Sequence, residues 1–169
     1  MTQKRLRKLI FSAMFCALVF AATWISIPAP LVGNVNLGDG VLLLCAWMLG
    51  GAWAAVSAAM GAALCDLALG YAIYAPATLV IKALMVALAI AVVKLLSHLH
   101  MHVRVARLIS AVCAELIMIL GYFAYEALAL GYGIAAAANI PFNAIQGALG
   151  ITVALVVYEV LHRAGIKVE

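Results

Sequence analysis

Asp39, Asp66, Lys82 and Glu126 are ionisable residues that fall within apolar runs. Charge is costly in a bilayer, so such groups usually face a cavity or one another. Asp66, Lys82 and Glu126 share a depth: Lys82 lies about 8 Å inside its apolar run, and the two acids lie near the ends of theirs. They read either as structural ion pairs or as the wall of a polar pocket. Asp39 opens a short apolar run, where it can also act as a helix N-cap favoured by the dipole. Asn139, Asn143 and Gln146 follow at spacings of four and three, which puts their amides on one helix face. Uncharged amides can read ring nitrogens and hydroxyls, or they can hold two helices together. Trp24, Tyr71, Tyr74, Tyr122 and Tyr125 cluster at the same level, as an interface belt or as stacking walls for a flat ligand.

No catalytic chemistry is legible. The chain has no HExxH, no Ser–His–Asp set and no GxxxxGK[ST] phosphate loop. It is therefore read as a non-enzyme with no cofactor or metal site of its own. His98, His100 and His102 alternate at a spacing of two, which does not match helical ligand geometry, and they read as a solvated connection. Cys16, Cys45, Cys65 and Cys113 have no CxxC spacing and read as small packing residues. Glu115 sits about two turns into its run, with no partner evident from the sequence.

The elements that position these groups are membrane helices. Hydrophobic residues make up 69% of the 169 positions and charged residues 9%, against about half and about a quarter in an average soluble domain. The fold class expected is an all-α membrane protein of six transmembrane helices in a single domain, 1–169. Spans are expected at about 9–27, 40–49, 52–69, 77–96, 107–130 and 140–161. Pro28 and Pro30 stop the first. Its basic start resembles a signal peptide, but without a convincing cleavage segment it reads as a retained span. The second is shorter than the roughly 20 residues a crossing needs, which is tolerable where neighbours shield it. Gly50-Gly51 makes the turn after it.

The ten basic residues fix the orientation expected. All but Lys82 lie in the N-terminus, the 97–106 connection, the C-terminus or at the adjoining span ends, and the three intervening loops carry none. The positive-inside rule then places both termini in the cytoplasm of a bacterial inner membrane. The basic clusters lack the contiguous, aromatic-interleaved face of a nucleic-acid surface. On the first span, Ala13, Ala17 and Ala21 form a small-residue stripe, fit for a close helix–helix approach to a partner or for internal packing.

Taken in order, Asn36-Leu-Gly-Asp39-Gly, Leu49-Gly-Gly, Asp66, Gly70-Tyr, Tyr74-Ala-Pro-Ala-Thr78 and Ile81-Lys82 resemble the substrate-binding S components of energy-coupling factor (ECF) vitamin transporters. The likeness is strongest to the branch with riboflavin, pyridoxine and hydroxymethylpyrimidine types. It implies a six-helix bundle binding a small vitamin near the outer face, with the loop after the first helix as a lid. The resemblance is specific from Asn36 to Lys82 and matches the last two spans only in layout. Together with the polar groups read above, the binding set expected is Asn36, Asp39, Asp66, Tyr74, Lys82, Glu126, Asn139, Asn143 and Gln146. It also implies that the Ala13/Ala17/Ala21 stripe docks on a transmembrane coupling protein carried by two ATPases, which consume the ATP. A pocket whose acids outnumber Lys82 favours a neutral or cationic ring: a vitamin B6-like or pyrimidine ligand first, with riboflavin also fitting. A self-sufficient gradient-driven permease and a non-transport scaffold are the alternatives.

Overall fold

The computed structural model describes residues 2–28 and 34–166. It is helical apart from one small hairpin among the described residues. Helix α1 spans Gln3–Trp24, so Lys4, Arg5, Arg7 and Lys8 belong to its first turns rather than preceding them. It ends before the expected Ile27. The residue before a proline is pushed out of the α region, and Ile27 precedes Pro28. The chain instead becomes extended. Strand β1 (Ser26–Pro28) pairs antiparallel with β2 (Asn34–Asn36), with Ser26 opposite Asn36 and Pro28 opposite Asn34. The sequence pattern does not predict this hairpin, which is small beside the six α-helices. Pro30, Gly33 and Lys167 lie outside the described residues.

Helix α2 spans Gly38–Met48 and α3 spans Gly51–Ala68. Gly50 and Gly51 both take positive φ, 63° and 64°, a conformation that costs glycine little. Helix α4 runs Ala75–His98 and α6 runs Ile140–Arg163, each with proline in its first turn, where the missing donor is harmless. Helix α5 spans Val103–Ala124. It continues as a π-helical turn, Tyr125–Ala129, and the expected loop before α6 is largely a 3₁₀ helix, Gly133–Asn139. His98 is thus helical, and His102 caps α5 by accepting the Arg104 N–H at 3.3 Å.

Five helical segments are long and apolar enough to cross a membrane: Gln3–Trp24, Gly51–Ala68, Ala75–His98, Val103–Ala129 and Gly133–Arg163. Helix α2 is shorter, about 16 Å at 1.5 Å per residue, and it is the most enclosed. Its Leu42, Leu43 and Cys45 form the bundle centre with Met85 and Val86 of α4, Met118 of α5 and Ala154 of α6. Enclosure by neighbours satisfies the condition under which a short intramembrane helix is tolerated. The outward faces carry Leu64, Leu84, Leu116, Leu120 and Val156 in the open, as a lipid-facing surface requires. Cross-links between elements fix the two ends of the bundle. The starts of α2, α4 and α6 meet the end of α5 at one end, and the start of α5 meets the end of α6 at the other.

Candidate functional site

At the first of these ends the polar residues form two tiers. The lower tier lies about two helical turns inside α4, at Lys82. There the Lys82 ammonium donates to Asp39 Oδ1. Gln146 Nε2 donates to Asp39 Oδ2 at 2.6 Å. The same glutamine's Oε1 accepts the Asn36 backbone N–H at 3.0 Å. Asn36 uses its own side chain twice. Its Oδ1 accepts the Gly38 N–H at 3.0 Å, and its amide donates to Asn34 Oδ1 at 2.8 Å. One network therefore ties the hairpin, α2, α4 and α6 together. Asp39 is wholly buried, so its charge is tenable only because Lys82 and Gln146 answer it. Gly150 permits this packing, since a Cβ there would stand 2.9 Å from Asp39 Cβ.

The upper tier is an open cleft. Asp66, Tyr71, Tyr74 and Thr78 line it from the α3–α4 side, and Tyr122, Glu126 and Asn139 from the α5 side. Asn143 and Gln146 of α6 and Asn34 of the hairpin complete it. Glu126 is clamped: Tyr74 donates to Oε1 at 3.2 Å and the Asn139 amide to Oε2 at 2.9 Å. Thr78 and Tyr122 share a hydrogen bond at 2.9 Å. Asp66 Oδ2 has no hydrogen-bond partner among the described residues. Among the described residues no lysine or arginine lines the cleft, and Lys82 is held below it by Asp39. Two carboxylates, amides and phenols thus face a space with no fixed cation. That suits a ligand offering hydroxyl or ring N–H donors and a flat face.

The expected site residues thus divide. Asp66, Tyr74, Glu126, Asn139, Asn143 and Gln146 line the cleft, whereas Asn36, Asp39 and Lys82 lie beneath it as its support. Of the aromatic cluster, Tyr71, Tyr74 and Tyr122 line the cleft. Trp24 instead stands outward with its ring 5.7 Å from Phe20, and Tyr125 bonds the Ile73 carbonyl. Asn34 and Thr78 were not in the expected set. Thr78 carried a signal, four before Lys82 on a helix. Asn34 carried none, because the three-residue strand that places it beside Asn36 is too short to read. Glu115 is buried on α5 against Gly147 and Gly150, with both carboxyl oxygens unpartnered among the described residues. On α1 the inward face is Ser12, Phe15, Val19 and Thr23. Ala13, Ala17 and Ala21 are exposed on the other side, so the small stripe is outside the bundle.

The sequence matches the family described as "ECF-type riboflavin transporter, S component" over residues 3–163. A solved structure described as the S component of a bacterial ECF transporter shares the fold. Its TM-score is 0.75 at 22% identity, covering 94% of this chain and 97% of that one. No curated protein shows a significant match.

Proposed function

The chain belongs to the family of ECF-type riboflavin transporter S components, and from that premise we propose that it captures a flavin-like ring vitamin in the cleft at the outer end of its bundle. Members of this family are substrate-binding membrane subunits, not enzymes. The observation that carries the ligand class is the cleft itself, lined by Asp66, Glu126, amides and tyrosines, with no lysine or arginine. A carboxylate vitamin would meet unanswered negative charge there. A neutral, hydroxylated, planar ring meets acceptors and stacking faces. The family description names riboflavin, which supports a flavin over the vitamin B6-like or pyrimidine ligand expected from the sequence.

In this reading 1–169 is one membrane domain, with α2 completing six passes. Nine of the ten basic residues, all but Lys82, stay on the cytoplasmic side with both termini. Asp66, Tyr74, Glu126, Asn139, Asn143 and Gln146 touch the ligand. Asn36, Asp39 and Lys82 hold Gln146 in place. The exposed Ala13/Ala17/Ala21 face docks on the transmembrane coupling protein, since small residues let two helix backbones approach closely. Two ATPases bound to that protein supply the ATP-driven step, consistent with the lack of a phosphate loop in this chain.

The test is titration of the purified protein with riboflavin, pyridoxine and hydroxymethylpyrimidine, together with mass spectrometry of any small molecule released on denaturation. Saturable one-to-one binding of riboflavin, with quenching of its fluorescence by the tyrosines, is the expected result. Binding of pyridoxine or the pyrimidine alone would overturn the flavin assignment. Transport by the chain alone in liposomes, without ATPases, would overturn the subunit reading.

A further inference from the structure

At the opposite end of the bundle a second groove opens between the start of α5 and the end of α6. Its floor is apolar, formed chiefly by Val105, Leu108, Leu155, Val156 and Val160. Its rim is basic: Arg104, Arg107 and Arg163 against the single carboxylate of Glu159. Arg104 and Arg163 both donate to Glu159 Oε1, at 2.8 and 3.0 Å. One carboxylate oxygen cannot satisfy two guanidiniums, each with five N–H donors. The Arg107 guanidinium lies over the Tyr158 ring, 3.6 Å from its centroid, and donates to the Tyr158 hydroxyl at 2.6 Å. Its Nε remains without a hydrogen-bond partner among the described residues.

The groove is amphipathic along the membrane normal. Arg163 sits in the last turn of α6, and Val156 lies about 10 Å deeper at 1.5 Å per residue. Arg104 enters at the first turn of α5, whose dipole also favours an anion. A net positive rim at the level where the helices leave the bilayer, above an apolar trough pointing into it, matches one molecule: a phospholipid whose headgroup is anionic. We propose that the α5–α6 groove is a binding site for an anionic phospholipid, its phosphate held by Arg104 and Arg163 and one acyl chain lying over Leu108, Val156 and Val160. A zwitterionic lipid could fill the trough but would bring no net charge to the rim, so the site selects by headgroup.

The experiment is native mass spectrometry of the full chain with equimolar phosphatidylglycerol and phosphatidylcholine of identical acyl chains. The expected result is retention of phosphatidylglycerol in preference by roughly fivefold or more, the scale of one basic residue's attraction. Arg104→Gln with Arg163→Gln should bring the two lipids to parity, while Arg104→Lys with Arg163→Lys keeps the preference. Val156→Trp fills the trough from an exposed position and should reduce retention of both lipids. Riboflavin titration of each variant reports that the fold is intact. Equal retention by the unaltered protein, a preference that survives the double glutamine variant, or lipid retention indifferent to Val156→Trp would each overturn the site. Full displacement of the lipid by excess glycerol 3-phosphate would reduce it to an anion contact and overturn the trough.

Discussion

Replacing Lys82 with methionine keeps most of the apolar stem and removes the charged end. The Lys82 and Asp39 side chains are 5% and 1% exposed, so Asp39 would be left in the interior with Gln146 as its remaining partner, at 2.6 Å. Removing one member of a buried pair costs about 3–5 kcal/mol, mostly for the stranded charge. For a chain of this size that is a fall in melting temperature of about 6–20 °C. The double variant Asp39→Asn/Lys82→Met removes both charges and leaves an amide that can still accept from Gln146. It should melt closer to the unaltered protein than Lys82→Met does. The assay is thermal unfolding of detergent-purified protein, with riboflavin titration of each folded variant. Affinity should fall with Lys82→Met through a displaced Gln146 and recover in part in the double variant. A melting temperature for Lys82→Met within about 2 °C of the parent, or a double variant no more stable than the single, would refute the claim that this ion pair supports the cleft floor.

Asn143→Ala removes a half-buried amide from the cleft wall and should weaken ligand binding about fivefold, by roughly 1 kcal/mol, in a calorimetric titration; unchanged affinity would remove Asn143 from the site. Ala17→Trp places a bulky ring on the exposed stripe, so the coupling protein and ATPases should no longer co-purify while riboflavin binding persists. The reverse pattern would place the stripe inside the bundle. Gly150→Ala puts a methyl 2.9 Å from Asp39 Cβ and 3.2 Å from Glu115 Oε1. It should destabilise the protein by about 1–3 kcal/mol, and a melting temperature unchanged from the parent would show that α2 and α6 are less tightly packed than described.

The sequence by itself determined the membrane class, the approximate positions of the helices, and which end of the bundle is polar and which basic. These follow from quantities additive along the chain: apolar run length against a fixed bilayer thickness, and basic residues counted per loop. Local rules also located the Gly50–Gly51 turn and the shared face of Asn139, Asn143 and Gln146. The hairpin was not legible, because three-residue strands carry too little alternation to register, and the effect of Pro28 on Ile27 was read as a helix stop rather than a strand. What only the tertiary structure decided was the division of labour among the polar groups. Asp66, Lys82 and Glu126 looked alike as residues at one depth, but depth says nothing about azimuth around the bundle. Packing turned Lys82 towards Asp39 and away from the cleft, left Glu126 to Tyr74 and Asn139, and gave Gln146 to both tiers. The same limit applied to Ala13, Ala17 and Ala21. Their spacing defined a face of the helix, and only the placement of Ser12, Phe15 and Val19 against the other helices settled that this face points outward.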